Sequence, residues 1–84
     1  IENLYKLMDG RAEALEFHIQ KGSPVIGRPI KDLLLIDNLL ICSIYRKGKP
    51  MIPNGQDHME EDDLVVVVTT KKGLHDVKDI LKRG

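Results

Sequence analysis

A run of five apolar residues near the carboxyl end constrains the fold more than any other segment. Leu64 is followed by four consecutive valines, at positions 65–68. Alternating apolar and polar residues would indicate a strand with one wet face, whereas an unbroken apolar run indicates burial on both faces. Residues 64–70 are therefore predicted to form a strand in the interior of a sheet.

Three further strands are predicted from pattern. A strand that starts at Ala12 is predicted to be half-buried, because apolar and polar side chains alternate from residue 15 to residue 20. The alternating residues are Leu15, Phe17 and Ile19 against Glu16, His18 and Gln20. Residues 39–46 are mostly apolar, which indicates another central strand. Lys47-Gly48 is predicted to close a tight hairpin to a strand at 49–52.

Three segments are predicted to be helical. Residues 1–10 place Leu4, Leu7 and Met8 on one helical face. Pro29 suits the first turn of a short helix whose buried stripe is formed by Ile30, Leu33 and Leu34. In residues 74–83 the shared face holds Leu74, Val77, Ile80 and Leu81. Asp76 near the start of this segment and Lys82 and Arg83 at its end suit a helix dipole.

These elements predict an α+β fold, in the order β-α-β-β-β-α after a leading helix. The helices are expected to pack on one face of a small, mainly antiparallel sheet. The chain has 84 residues, which is enough for one domain. We expect residues 1–11 to be a connector helix from a preceding domain and residues 12–84 to be the domain itself. Because residue 1 is Ile rather than Met, the chain is predicted to be a piece of a longer protein.

Charge and cysteine content exclude several classes of protein. Lys and Arg total 13, Asp and Glu total 13, and the net charge is zero. Nucleic-acid binding usually requires a clustered basic surface, so no nucleic-acid partner is predicted. The single cysteine rules out an internal disulfide and fits a reducing compartment. No apolar run approaches the roughly 20 residues of a membrane span, and no signal peptide is visible.

Metal binding and catalysis have little support in the residue pattern. The three histidines, His18, His58 and His75, are far apart, and Cys42 has no second cysteine nearby. The acidic run at 57–63 is either a solvated turn or a weak cation or salt-bridge site. Cys42 lies in an apolar strand without a nearby base, so no metal ligand and no enzymatic activity are predicted.

Two other features have both a functional and a structural interpretation. Arg28 follows Gly27 just before a predicted helix, where an anion could meet free N–H groups; the alternative is a turn glycine and a surface arginine. The apolar stripe of Leu4, Leu7 and Met8 either docks onto a partner or second copy, or caps the domain's own sheet.

Several blocks of sequence resemble the TrkA C-terminal domain, also called the RCK C-terminal domain. The blocks are EALEF at 13–17, GSPVIGRPIKDL at 22–33, ICSIYRKG at 41–48, IPNG at 52–55 and EEDDLVVV at 60–67. The similarity extends over about residues 12–82, and the order and spacing of the blocks make it specific. Relatives usually have Glu-Gly-Asp at 61–63, so Asp62 is expected to adopt the left-handed backbone that glycine would favour.

The resemblance implies a regulatory role in potassium uptake. Proteins of this family are cytosolic and lie beneath a membrane potassium-transport subunit as assemblies of repeated units. A nucleotide-binding domain precedes this module, which dimerises and, in some relatives, binds a small ligand such as cyclic di-AMP. The chain is therefore expected to be a cytoplasmic ligand-sensing and dimerisation module at the inner face of the membrane. The alternative is a purely structural dimerisation module without a ligand.

The resemblance also indicates where a ligand would bind. The matching positions are around Ile30, Lys31, Leu33 and Pro53. With Arg28, from its place before the predicted helix, and Asn38, the one neutral polar residue of the segment that follows, the candidate ligand residues are Arg28, Ile30, Lys31, Asn38 and Pro53. Residues 34–38, which relatives use to hold the dinucleotide, contain no basic side chain in this chain. Because phosphate recognition without a cation is weak, the expected ligand is either different from cyclic di-AMP or absent. A cyclic dinucleotide and a divalent cation are the two ligand classes left open, and no resident cofactor is predicted.

Overall fold

The computed structural model describes residues 1–82. Five strands form one sheet in the spatial order β1-β2-β5-β3-β4, and every neighbouring pair is antiparallel. The strands are β1 (Asn3–Leu7), β2 (Ala12–His18), β3 (Leu39–Arg46), β4 (Lys49–Met51) and β5 (Leu64–Thr69). Three short 3-10 helices lie between or after them, at Met8–Gly10, Ile30–Asp32 and Val77–Ile80.

The prediction of an α+β fold with packed helices is wrong. Residues 1–82 contain no α-helix, and the helical segments are single 3-10 turns. The predicted leading helix is instead strand β1, which pairs with β2 from Asn3 opposite Glu16 to Leu7 opposite Ala12. Its three apolar residues span barely one helical turn, and a helix that short does not repay the cost of its nucleation. Pairing with β2 supplies its backbone with hydrogen-bond partners instead.

The other two predicted helices shrink for the same reason. The segment after Pro29 makes one 3-10 turn, Ile30–Asp32. The segment at 74–83 makes only Val77–Ile80, and Leu81 is already extended and bridges to Leu35. Arg83, predicted to end that helix, lies outside the described residues. The layer over the sheet is therefore built of loops and single turns.

The valine run forms the middle of the sheet, as predicted. β5 lies between β2 and β3, with Val67 opposite both Leu15 and Ile41. Val65 and Val67 are fully buried. Val66 and Val68 point to the other face and are only half-buried. Burial on both faces was expected, but within this chain only one face is fully covered.

The hydrophobic core lies on that one side, here called the covered face. The sheet contributes Leu15, Phe17, Ile41, Ile44, Val65 and Val67. The loops and turns packed against them contribute Ile19, Val25, Leu33, Met59, Leu74, Val77 and Ile80. Irregular backbone can cover a sheet in this way because it carries an apolar side chain every few residues.

The hairpin predicted at Lys47-Gly48 is confirmed, and both residues have positive φ, 50° and 79°.

Candidate functional site

Two of the predicted ligand positions meet at a small apolar cavity. Ile30 and Pro53 both line this space of about 200 Å³, together with Leu35, Leu39, Leu40, Ile41, Asn54 and Gly55. Lys31 lies at its margin, where its backbone N–H donates to the Gly55 carbonyl at 2.9 Å. A side chain at Gly55 would come within 3.2 Å of the Lys31 Cβ, so glycine permits this close approach.

The other two predicted ligand positions lie elsewhere. Arg28 is exposed and does not line the apolar cavity. Asn38 adopts a left-handed turn with φ 59°, and its carbonyl accepts a hydrogen bond from the Thr70 N–H at 3.3 Å. Asn38 lines a different cleft, together with Asp37 and Lys71. The structure therefore brings together the apolar members of the predicted set and separates the polar ones.

A buried ion pair holds the acidic segment against the sheet. Arg46 at the end of β3 binds Asp63 in a bidentate manner, from Nε to Oδ1 and from Nη2 to Oδ2, both at 2.9 Å. Asp63 is only 1% exposed. Arg46 also reaches Glu60 at 3.0 Å and the His58 carbonyl at 2.8 Å. The hydrogen bond to Asp63 raises the pKa of Arg46 above its ordinary value despite partial burial.

Most carboxylates of the acidic run at 57–63 have structural partners. Asp57 accepts the Asn54 N–H at 2.8 Å, Glu60 pairs with Arg46, and Asp62 lies 3.1 Å from His18. Asp62 has φ 72°, so the predicted left-handed backbone at this position is confirmed. Across residues 1–82, no three side chains of the His, Cys, Asp or Glu type are placed to share a metal ion.

The sheet surface opposite the core, here called the open face, carries a band of apolar side chains. Directly paired residues of antiparallel strands point to the same side. One row crosses four strands, from Tyr5 through Ala14 and Val68 to Leu40. Tyr5 is 59% exposed and Leu40 is 65% exposed. Val66, Leu64 and Tyr45 continue the band toward the other end of β5. An apolar band of this kind on a small domain marks a contact surface.

The predicted stripe of Leu4, Leu7 and Met8 does not exist as one surface. Leu4 lies opposite the buried Leu15 and so points to the core side of the sheet. Leu7 is three residues further along the strand and points to the opposite side. Met8 lies in the following turn with φ 50° and is 73% exposed. Leu4, Leu7 and Met8 have the spacing of one helical face, but residues 3–7 form a strand, in which Leu4 and Leu7 point to opposite sides.

Comparison with known families is decisive for the chain's relationship. The family model described as the TrkA-C domain matches residues 14–82, which is most of the chain. The chain belongs to the TrkA-C domain family. The resemblance seen in the sequence blocks is thereby confirmed. No helix in the described part of this TrkA-C chain has the length and apolarity needed to cross a bilayer.

Several curated proteins are similar to this TrkA-C chain. The Trk system potassium uptake protein TrkA homolog of Archaeoglobus fulgidus is 35% identical over 71 residues, covering 84% of this chain and 16% of that protein. The Trk system potassium uptake protein TrkA of Azorhizobium caulinodans is 28% identical, covering 98% and 18%. The K(+)/H(+) antiporter NhaP2 of a Shewanella species is 24% identical, covering 86% and 12%. The chain thus spans less than a fifth of the length of these relatives.

Sequence reasoning missed the two features that organise the site. The pairing of Arg46 with Asp63 joins residues 17 positions apart, for which no local spacing gives a signal. The open face was missed because residues 1–10 were interpreted as a helix, which removed Tyr5 from the sheet. The alternation of Lys6 with Tyr5 and Leu7 was the available signal for a strand there.

Proposed function

We propose that this TrkA-C chain is a regulatory module of a potassium uptake system and that it works by associating with a second copy of itself. Family membership and the names of the similar proteins support the regulatory role in potassium transport. The proposed location is the cytoplasmic side of the membrane, beside a potassium-transport subunit. A catalytic role is not proposed.

The observation that carries the proposed self-association is the uncovered apolar band on the open face. A single-domain protein of 9.5 kDa is expected to expose roughly 5050 Å² of surface, from the scaling of area with mass. This chain exposes 5648 Å². The chain therefore exposes more surface than its mass predicts, as expected when one face of the sheet is left uncovered.

A second copy is the occupant that suits the shape and charge of the open face. The row from Tyr5 to Leu40 contains no charged side chain. Two identical apolar bands related by a twofold axis bury each other without leaving a charge unpaired. Glu16 lies on this face directly opposite Val66, away from the uncharged row, and already accepts a hydrogen bond from Asn3 at 2.7 Å. The interface that we propose therefore has an apolar centre and a polar rim.

Light scattering and sedimentation test this association directly. Leu40→Glu places a charge at the β3 end of the row without disturbing the core, because Leu40 is already 65% exposed. The matched control is Leu34→Glu, since Leu34 is 68% exposed and lies outside the sheet. We expect a concentration-dependent dimer for the unaltered chain and for Leu34→Glu, and a monomer for Leu40→Glu. If the unaltered chain stays monomeric at high concentration, the result contradicts the proposal.

We propose further that ligand sensing uses the apolar cavity between Ile30 and Pro53. Leu40 lines this cavity and also belongs to the open face, so an occupant would contact a residue of the proposed interface. A ligand that binds the dimer better than the monomer must shift the equilibrium between them. No Lys or Arg side chain is among the lining residues, which favours a small apolar group over a phosphate.

Thermal denaturation with added compounds tests the sensing role separately from association. The panel contains cyclic dinucleotides, adenine nucleotides, divalent cations and small apolar compounds. We expect an apolar compound to raise the melting temperature of the unaltered chain and to have a smaller effect on Ile30→Gln. If no compound raises the melting temperature while the chain still dimerises, the module is a structural dimerisation unit without a ligand.

A further inference from the structure

Four lysines converge on one cleft at the carboxyl end of the described chain. The cleft has a volume of about 690 Å³ and is lined by Lys71, Lys72, Lys78 and Lys82, with His75 among them. We refer to it as the basic cleft. Its volume lies within the range of roughly 300–1000 Å³ that is typical of small-molecule sites. It is separate from the apolar cavity and shares no lining residue with it.

The positive charge of the cleft is local, because the chain as a whole is neutral. The acidic run ends at Asp63, immediately before β5, whereas Lys71 follows the other end of that strand. The acidic run at 57–63 and the lysines that follow residue 70 thus lie at opposite ends of β5. Like charges gathered in a concave surface raise the local potential and attract an anion.

The charges in the basic cleft are only partly used by the protein itself. Lys72 donates from Nζ to the Gly10 carbonyl, and Lys82 lies 3.5 Å from the exposed Asp37. Lys71 and Lys78 form no ion pair with any residue in the range 1–82. These two ammonium groups are the ones available to a bound anion.

The single carboxylate in the lining is occupied by backbone. Asp79 accepts the N–H groups of His75 and Asp76, each at 3.0 Å, and these bonds close the turn that carries Lys78. Its role is to shape the cleft wall, and the lining keeps an excess of lysine over aspartate.

The floor of the basic cleft is apolar and firmly held. Ile36, Leu74 and Leu81 all contribute to the lining, and Leu74 is buried. Beneath it, two backbone hydrogen bonds join residues 34–36 to residues 80–82. The Ile36 N–H donates to the Ile80 carbonyl at 2.8 Å, and the Lys82 N–H donates to the Leu34 carbonyl at 2.7 Å. The cleft is therefore formed before any ligand arrives, which lowers the entropic cost of binding.

From this combination we infer that the basic cleft binds a phosphate ester, with the phosphate held by Lys71 and Lys78 and the organic part on the apolar floor. A nucleotide and the headgroup of an anionic phospholipid both have this chemistry. The site is independent of the apolar cavity and of the open face, so it stands or falls separately from the proposed self-association.

Amide chemical-shift titration of the unaltered chain tests the site. In the first arm, adenosine diphosphate is the probe and the amide shifts are measured. In the second arm, the chain is co-sedimented with phosphatidylcholine vesicles that contain or lack phosphatidylglycerol. We expect the largest shifts at residues 71–82, or selective binding to the vesicles that contain phosphatidylglycerol. A response to adenosine diphosphate assigns a soluble phosphate ester, and a response to the anionic vesicles alone assigns a lipid.

The decisive variant is Lys71→Gln/Lys78→Gln, and its charge-matched control is Lys47→Gln/Lys49→Gln. Lys47 and Lys49 are exposed and lie in the hairpin at the far end of β3. Loss of two charge-assisted contacts is expected to weaken binding about tenfold or more, whereas the control should change it less than about twofold. Equal loss in both variants, or no response to either probe in the unaltered chain, overturns the assignment.

Discussion

Replacement of Arg46 by methionine removes the counter-charge of the buried Asp63, together with the Arg46 contacts to Glu60 and to the His58 carbonyl. Methionine keeps most of the aliphatic stem of arginine and removes only the guanidinium. Asp63, at 1% exposure, then keeps the Glu60 N–H at 2.8 Å but loses its two hydrogen bonds from arginine. The variant therefore leaves a buried carboxylate without its counter-charge.

The structure sets the expected cost between two limits. Removing one partner of a fully buried pair costs about 3–5 kcal/mol, and an exposed pair contributes about 0–1 kcal/mol. The Arg46 side chain is 24% exposed, so water partly replaces it when it is removed. We expect Arg46→Met to lower the free energy of unfolding by about 2–3 kcal/mol. In a domain of this size that corresponds to a melting temperature lower by roughly 10–20 °C.

Urea denaturation followed by circular dichroism measures this change, with Arg28→Met as the matched control. Arg28 is exposed and forms no ion pair within the described residues, so its replacement should cost less than about 0.5 kcal/mol. Adding Asp63→Asn to Arg46→Met should cost less than the sum of the two single changes, because both remove the same interaction. Equal costs for Arg46→Met and Arg28→Met would refute the reasoning.

Three further outcomes are expected from stability measurements on single variants. The hydrogen bonds from the His75 and Asp76 N–H groups hold the pKa of Asp79 below its ordinary value; its contribution is complete above about pH 4 and is lost as the pH falls through the lowered pKa. Asp79→Asn should therefore cost about 1 kcal/mol at neutral pH, with the difference from the unaltered chain narrowing in acid; a constant difference down to strong acid would contradict this. Asp62→Gly should leave the melting temperature unchanged or higher, whereas Asp62→Val should cost about 1–2 kcal/mol, because a β-branched residue resists positive φ; equal melting temperatures for the two variants would count against strain at this turn. Val67→Ala should cost about 2 kcal/mol and Val66→Ala less than about 1 kcal/mol in the monomer, since only Val67 is fully buried; the reverse order would place the core on the other face.

Strands were predictable where their pattern is complete within a few residues. Apolar and polar residues alternate from Leu15 to Gln20, and the hairpin at Lys47-Gly48 has the turn residues that two short strands require. The helices were not predictable in the same way. Ten residues contain fewer than three helical turns, so Leu4 and Leu7 fit a helix and a strand almost equally well. Pairing with β2, which decided between them, depends on residues that lie further along the chain.

The candidate sites divide in a similar manner. The resemblance to the family indicated Ile30 and Pro53, and these two residues line one cavity. Arg28 and Asn38 were predicted from their own surroundings in the sequence, and the fold places both away from that cavity. A motif gives the order of residues along the chain, whereas their distances depend on how loops cross the sheet. The basic cleft could not be predicted because Lys71 and Lys82 become neighbours only when the last segment folds back beside β5.

The sequence by itself determined the family, the central valine strand and the left-handed turn at Asp62. Each of these follows from short-range chemistry: apolar runs, turn residues and an ordered set of motif blocks. The tertiary structure alone decided which side of the valine strand is covered, which strands lie at the edges of the sheet and which lysines share a cleft. Those outcomes depend on strand pairing and on packing between distant segments. These arrangements are stabilised by contacts between residues far apart in the chain, and such contacts form only when the whole sheet has assembled.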